Sequence, residues 1–132
     1  MDIVKVTCAI IEQHERVLVT QRGQAKDQAY LWEFPGGKIE PGESEEACLI
    51  REIKEELNLE ISPLERLTPV EHAYADKVIL LIPYICKYVK GAVQLLEHCS
   101  YQWSELSSLP SYDWCEADKP VLDEYLQIKE SR

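Results

Sequence analysis

Between Glu43 and Glu56 the chain carries six glutamates but only two basic residues, directly after a Pro-Gly-Gly loop. Residues three and four apart are neighbours on a helix, so Glu52 lies beside both Glu55 and Glu56, and each like-charge pair costs about 0.2–0.5 kcal/mol in water. The cluster becomes favourable when divalent cations lie among the carboxylates, because Mg²⁺ and Mn²⁺ take oxygen ligands and retain waters and substrate phosphates. The alternative is a solvated acidic helix face, which is what most runs of charge are.

The residues around these glutamates predict a helix that starts after Ser44 and stops at Asn58. Ser44 is a good N-cap, acidic residues occupy the first turn, and Asn58 suits the left-handed position that ends many helices. At about 100° per residue, the predicted core face lies opposite Glu52, Glu55 and Glu56. The residues of this core face are Ala47, Ile50, Ile53 and Leu57.

The rest of the chain predicts several strands, a loop over residues 35–42 and a second helix that begins near Asp118. Pro83 predicts an edge position or a bulge for its strand, because proline donates no hydrogen bond to a ladder. Mostly antiparallel strands with two helices indicate an α+β or layered α/β protein, and the length indicates a single domain over residues 1–132. The predicted strands cover residues 3–11, 16–22, 31–34, 64–74, 78–89 and 101–103.

The composition limits the partners of the protein. With 24 acidic and 14 basic residues the formal charge is -10, so nucleic-acid polymers are not expected partners, since they are bound largely through Lys and Arg. The N-terminal segment lacks a signal-peptide pattern and no apolar run approaches about 18 residues, so we expect a cytoplasmic protein without membrane contact. The five cysteines are interpreted as buried free thiols, and the three scattered histidines as turn or surface residues.

The spacing of the glutamate segment is more specific than its charge. Gly37, five residues, Glu43, seven residues and then REIKEELNL from Arg51 resemble the Nudix hydrolase box, G-x5-E-x7-R-E-U-x-E-E-x-G-U, in which U is bulky and aliphatic. The one departure is Asn58 where the family has glycine, and asparagine is the next-best left-handed cap. The VTQR strand, LWEFPGGKIEPGES and ADKPVLDEYL extend the resemblance to the MutT-like and CTP pyrophosphohydrolase-like branch of the family.

The resemblance implies a fold and a set of site residues. The fold is an α/β/α sandwich with a mixed central sheet and a loop-helix-loop catalytic motif. Glu52 and Glu56 are implied metal ligands together with the carbonyl of Gly36 or Gly37, and Glu55 coordinates directly or through water. Glu43 and Arg51 support this group, while Glu52 on the helix and Glu97 in a later loop are alternative general bases. Glu97 is also a candidate metal ligand, or an ordinary loop acid.

Four further residues resemble the substrate pocket of MutT-like enzymes. Arg22 is placed to contact sugar or phosphate, Lys38 to contact phosphate, and Phe34 to stack on the base or to join the core. The Ala-Asp-x-Pro pattern around Asp118 resembles that of the CTP pyrophosphohydrolase-like branch. An ionised Asp accepts hydrogen bonds and so favours an amino group such as N4 of cytosine, whereas a protonated Asp also suits oxidised guanine. Asp118 could equally cap the last helix, two residues before Pro120.

These expectations describe a Mg²⁺-dependent nucleoside triphosphate pyrophosphohydrolase, with Mn²⁺ as the alternative ion, that sanitises the nucleotide pool. Its expected substrates are 8-oxo-dGTP, or CTP, dCTP and modified dCTP, or both groups, and its expected state is a monomer rather than a dimer. One alternative is a Nudix hydrolase of ADP-ribose or dinucleoside polyphosphates. The other is a Nudix-like module that binds a nucleotide without turnover, but such a module is expected to lose glutamates of the box.

Overall fold

The computed structural model describes residues 2–132, which form one mixed sheet, two α-helices and a short 3-10 helix. The strands are β1 (Ile3–Gln13), β2 (Arg16–Gln21), β3 (Trp32–Glu33), β4 (Gly36–Lys38), β5 (Glu60–Arg66), β6 (Val70–Ala73), β7 (Val78–Lys90) and β8 (Ser100–Glu105). The helices are α1 (Glu45–Leu57), the 3-10 helix Leu106–Ser111 and α2 (Asp118–Ser131).

The sheet is built around β1. Its last residues form the predicted antiparallel hairpin with β2, closed by His14 and Glu15, both with positive φ. Along most of its length β1 also pairs with β7 in parallel, and residues Val6 to Cys8 pair antiparallel with β4. The order across the sheet is β3-β2-β1-β7-β5, with β8 on β2 and β6 on β7.

The two faces of the sheet carry separate hydrophobic cores, because successive side chains of a strand point to opposite faces. Ile10 of β1 packs in one core with Val121 and Tyr125 of α2. The neighbouring Ile11 packs in the other core with Leu49 of α1. The sheet therefore lies between the two helices, which confirms the α/β/α sandwich.

Helix α1 has the predicted ends but a different buried face. Ser44 Oγ accepts a hydrogen bond from the Ala47 N–H at 3.1 Å, and Asn58 adopts the left-handed conformation with φ of 59°. The prediction that Ala47 and Ile50 face the core is wrong, since both are exposed. The helix docks through a stripe spaced four residues apart, and its buried residues are Cys48, Leu49, Ile53, Glu56 and Leu57.

The predicted loop over residues 35–42 contains the short strand β4, so this part of the prediction is wrong. Gly36 is required by proximity, because a Cβ there would lie 1.9 Å from the main-chain oxygen of Thr7 on β1. Gly42 is required by conformation, with φ of +79°. The glycines thus let a strand lie flush against β1 and then turn into α1.

The predicted strand over residues 64–74 is two strands, β5 and β6, and the first begins earlier than expected. Both pair antiparallel with the same strand, β7. Pro83 predicted an edge position or a bulge, and the edge position is wrong, because β7 lies between β1 and β5. The Pro83 carbonyl accepts a hydrogen bond from Leu67 N at 2.8 Å, at the interruption between β5 and β6. Pro83 has no N–H to donate on this side of β7, and it lies between the β5 and β6 ladders, where regular pairing is interrupted.

The remaining sequence predictions concern the cysteines, the last helix and the membrane. All five cysteines are free thiols in the described residues; Cys8, Cys48, Cys86 and Cys115 are buried, whereas Cys99 is exposed, contrary to expectation. Helix α2 begins at Asp118 as predicted. Within residues 2–132 neither helix combines the length and apolar character needed to cross a bilayer.

Candidate active site

Arg51, in the middle of α1, contacts the carboxylates of Glu43, Glu52 and Glu55. Its Nε and Nη2 donate to the two oxygens of Glu43 at 2.7 and 2.9 Å, and its Nη1 donates to Glu52 Oε1 at 2.9 Å. Glu55 is a weaker partner at 3.3 Å, with 59% of its side chain exposed. The bidentate hydrogen bonds from Arg51 hold the pKa of Glu43 at about 2. Glu43 and Arg51 are thus joined by two parallel hydrogen bonds.

Glu52 lies against β4. A Cβ placed on Gly37 would lie 2.3 Å from the Glu52 carboxyl group, so only glycine leaves room for this carboxylate. Partial burial raises the pKa of Glu52 above its ordinary value, while the guanidinium of Arg51 acts in the opposite direction. The glycine strand and α1 together place one carboxylate at the junction of the two elements.

Glu56 is the buried member of the cluster, not a member of an outer charged face as the sequence suggested. It is 8% exposed and belongs to the side of α1 that meets the sheet. Burial, followed by the charges of Glu97 and Glu52, raises the pKa of Glu56 to about 9. Its Oε1 has no hydrogen-bond partner within residues 2–132, which is costly for a buried carboxyl group.

The donor set of the site fits a divalent cation. Burial and the charges of Glu97 and Glu52 raise the pKa of Glu56, and a cation among these carboxylates would offset their repulsion. Hard oxygen ligands of this kind suit Mg²⁺ or Mn²⁺. Within residues 2–132 no three acidic, histidine or cysteine side chains already converge around one point, and Glu52 is bonded to Arg51 instead. The side chains fit a divalent cation through the chemistry of their oxygen donors.

The two glycines of β4 differ in the direction of their carbonyls. Ala9 N donates to the Pro35 carbonyl at 2.8 Å, and the Gly37 carbonyl accepts from Thr7 Oγ1 at 3.3 Å, so both of these carbonyls face β1. Alternate residues of a strand face the same neighbour, and the Gly36 carbonyl therefore faces away from β1. The sequence left Gly36 and Gly37 as alternatives, and this geometry favours Gly36 as a ligand.

A cleft of about 440 Å³ runs from this cluster towards the start of α2. It brings together most of the substrate-binding residues that the sequence suggested. The predicted residues that line it are Arg22, Phe34, Gly36, Gly37, Lys38, Glu56, Glu97 and Asp118. Glu43, Arg51, Glu52 and Glu55 are not among the residues that line it.

Asp118 closes the far end of the cleft and does not cap α2. The N-cap position belongs to Ala117 without a side-chain bond, whereas Asp118 Oδ2 accepts the Phe34 N–H at 2.9 Å. Asp118 is 5% exposed; burial and then the charge of Glu33 raise its pKa well above the ordinary value. The Phe34 ring is 2% exposed and packs on Trp114 with ring centroids 4.7 Å apart, as the core alternative predicted.

Glu33 and His98 are among the cleft residues that the sequence did not predict. Glu33 Oε1 accepts from Arg22 Nη1 at 3.0 Å, and Glu33 Oε2 lies 3.0 Å from His98 Nε2. The interpretation of His98 as a turn or surface residue is wrong, because 5% of its side chain is exposed. An acidic residue inside the short apolar segment before Pro35 was the available signal for Glu33.

A mixed sheet between two helices, with a glutamate-bearing helix and a glycine strand at the head of a cleft, defines the Nudix type of α/β/α sandwich. The NUDIX domain family matches residues 1–125. The chain belongs to this family, in its MutT-like branch, and Nudix hydrolases generally need a divalent metal.

Known relatives match nearly the whole chain. The CTP pyrophosphohydrolase of Escherichia coli is 33% identical over 132 residues, which cover 100% of this chain and 98% of the relative. The 8-oxo-dGTP diphosphatase of Escherichia coli is 28% identical, covering 86% of this chain and 88% of the relative. The solution structure of the E. coli ORF135 protein is 33% identical with a TM-score of 0.86, covering 100% of this chain and 94% of that one.

Proposed function

We propose that this protein is a Mg²⁺-dependent, MutT-like pyrophosphohydrolase that converts a nucleoside triphosphate and water to the monophosphate and pyrophosphate. The observation that carries the proposal is the buried Glu56, which lines the cleft together with Glu97 and has one oxygen without a hydrogen-bond partner within residues 2–132. Burial and the charges of Glu97 and Glu52 raise the pKa of Glu56. Such a group of carboxylates is unfavourable alone and favourable around a cation that also binds phosphate. The named activities of the relatives support the same reaction class.

The metal ligands in this proposal are Glu52, Glu56, the Gly36 carbonyl and Glu97, with Glu55 acting through water. The exposure of Glu55 and the direction of the Gly36 carbonyl support these assignments. A divalent metal held by these residues would polarise the phosphoryl oxygens, lower the pKa of the attacking water and offset the charge of the carboxylates. Without a cation, the carboxylates and the formal charge of -10 would repel the triphosphate.

The protein's own residues position the carboxylates and remove a proton from the attacking water. Arg51 and Glu43 fix the position of Glu52 through charge-assisted hydrogen bonds, so that Glu52 keeps its place while substrate enters. Glu52 and Glu97 are the two candidates for the general base that takes the proton of the water. Substitution of the general base lowers kcat and flattens the acidic limb of the pH profile. Comparing the pH profiles of Glu52→Gln and Glu97→Gln therefore distinguishes the two candidates.

At the other end of the cleft we assign nucleoside contacts to Arg22 and Asp118, while Phe34 lines the cleft with its ring packed in the core. Lys38, which follows Gly37 on β4, is assigned a phosphate contact. The raised pKa of Asp118 changes the interpretation of its base preference, because a protonated carboxyl group both donates and accepts. It can therefore pair with cytosine or with 8-oxoguanine, and both groups of triphosphates are proposed substrates. We place this activity in one domain spanning residues 1–132, acting as a cytoplasmic monomer on a small nucleotide.

The proposal is tested by pyrophosphate release with Mg²⁺ from matched panels of 8-oxo-dGTP, dGTP, CTP, dCTP and 5-methyl-dCTP. Turnover that is abolished in Glu52→Gln and retained in Glu46→Gln is expected, because Glu46 lies exposed on the same helix outside the cleft. Asp118→Asn is expected to change the ranking of the bases. Absence of turnover on every substrate of the panel would contradict the proposal.

A further inference from the structure

The loop between β7 and β8 carries Glu97 and is fixed at several main-chain points. Gln94 N and Leu96 N donate to the last carbonyls of α1, those of Leu57 and Glu56, at 3.0 and 3.2 Å. On the other side of Glu97, Cys99 N donates to the Gln21 carbonyl at 3.0 Å. The backbone near Glu97 is therefore held, whereas these bonds leave the direction of its side chain undetermined.

The side chain of His98 supplies a further attachment next to Glu97. Its Nε2 lies 3.0 Å from Glu33 Oε2, and the other oxygen of Glu33 is bound by Arg22. The three side chains form a continuous row along the wall of the cleft, from the end of β2 through β3 to the loop. Both oxygens of Glu33 are thereby occupied, and the carboxylate joins three segments of the chain.

The other nitrogen of His98 shows that this row is poorly optimised for stability alone. Nδ1 is buried and has no hydrogen-bond partner within residues 2–132. A buried polar atom without a partner weakens folding, so its presence calls for an explanation beyond stability. The burial of the ring and the Nε2 contact hold the residue next to Glu97 in one orientation.

We propose that His98 is a positioning residue for Glu97. The hydrogen bond from His98 Nε2–H to Glu33 fixes the orientation of the loop, so that the Glu97 carboxylate faces Glu56 and Glu52. Glu97 lines the same cleft as Glu56, and the N–H of Leu96, next to Glu97, donates to the Glu56 carbonyl. The proposal rests on the proposed function, because it gives Glu97 a role in the same metal-dependent site.

The test compares His98→Gln with His98→Asn, each alone and combined with Glu97→Gln. Glutamine carries an N–H group at nearly the reach of Nε2, whereas the shorter asparagine amide reaches only as far as Nδ1. We expect His98→Asn to lower kcat about 10- to 100-fold, as for partners that orient metal ligands, and His98→Gln to restore most of it. In the Glu97→Gln background, His98→Asn should have no further effect, because residues that act through one another are not additive.

A second readout is the binding of Mn²⁺ alone, measured by calorimetry without nucleotide. His98→Asn should weaken Mn²⁺ binding about tenfold, and this effect too should vanish in Glu97→Gln. The proposal would be overturned if His98→Asn lowered kcat and Mn²⁺ affinity equally with and without Glu97, or if His98→Asn and His98→Gln had equal activity and Mn²⁺ affinity. It would also be overturned if the melting temperature of His98→Asn fell in parallel with kcat and Mn²⁺ affinity. Absence of turnover in the unmodified protein would contradict the proposed function, while the Mn²⁺ measurement would still decide the role of His98.

Discussion

Glu56→Gln in the metal-free protein tests the electrostatics of the site directly. Burial and the neighbouring carboxylates raise the pKa of Glu56 from 4.5 to about 9. The folded protein thus binds a proton that the unfolded chain releases above pH 4.5. The stability due to this group is complete below that pH and is lost as the pH rises towards about 9.

The expected magnitude follows from the size of the shift. Each unit between the two pKa values corresponds to about 1.4 kcal/mol, so raising the pH from about 5 to about 8 removes at most about 4 kcal/mol of unfolding free energy. Relaxation around the carboxylate reduces this ceiling, and we expect a loss of roughly 2 kcal/mol of unfolding free energy. For a domain of this size, that loss lowers the melting temperature by about 6–10 °C. Glutamine cannot ionise, so Glu56→Gln should lack this part of the pH dependence.

The assay is thermal melting with a chelator at both pH values, comparing the unmodified protein, Glu56→Gln and Glu46→Gln. The exposed Glu46 gives the same charge change on the same helix, and its substitution should leave the pH dependence unaltered. Added Mg²⁺ should raise the melting temperature of the unmodified protein at the higher pH and have much less effect on Glu56→Gln. Parallel pH profiles for the unmodified protein and Glu56→Gln would refute the reasoning.

Three further substitutions test other parts of the site. Arg51→Lys should lower kcat about 10- to 100-fold, because lysine cannot reproduce the two parallel bonds to Glu43, and steady-state kinetics measures the loss. Gly37→Ala should abolish pyrophosphate release, since the new Cβ would lie 2.3 Å from the Glu52 carboxyl group. Asp118→Asn should keep the melting temperature or raise it, because the amide oxygen can still accept the main-chain bond without a buried ionisable group.

Each of these substitutions has a control. Gly42→Ala removes a glycine with positive φ in open space, so it should cost about 1 kcal/mol of stability and leave kcat unchanged. Lys54→Arg changes an exposed base of α1 and should alter neither quantity. Asp118→Ala should lose about 1–3 kcal/mol, because the Phe34 N–H would be left buried without an acceptor. A fully active Gly37→Ala or Arg51→Lys, or an equally stable Asp118→Ala, would contradict the respective prediction.

The features that the sequence predicted correctly depend on residues close together in the chain. The cap at Ser44 satisfies an N–H three residues away, and the left-handed Asn58 ends the same helix through its bond to Lys54. Such contacts form wherever the helix finally docks. The β1–β2 hairpin was predictable for the same reason, because its two strands are adjacent in the sequence.

The features that the sequence missed depend on docking. Helical periodicity placed Glu56 with the exposed glutamates, but the approach of α1 to the sheet rotates it inward. Asp118 has the composition of a local cap, yet its partner is the main chain of Phe34, 84 residues earlier. Likewise His98 appeared isolated because its partner Glu33 lies 65 residues away. A pattern within one segment does not contain these distant partners.

The most direct test of the central claim is the identity of the products formed with and without Mg²⁺ by the unmodified protein, Glu56→Gln and Glu46→Gln. The account predicts monophosphate and pyrophosphate in equal amounts, released with Mg²⁺ by the unmodified protein and Glu46→Gln but not by Glu56→Gln. Release of inorganic phosphate and a nucleoside diphosphate, or turnover that persists in a chelator or in Glu56→Gln, would contradict it.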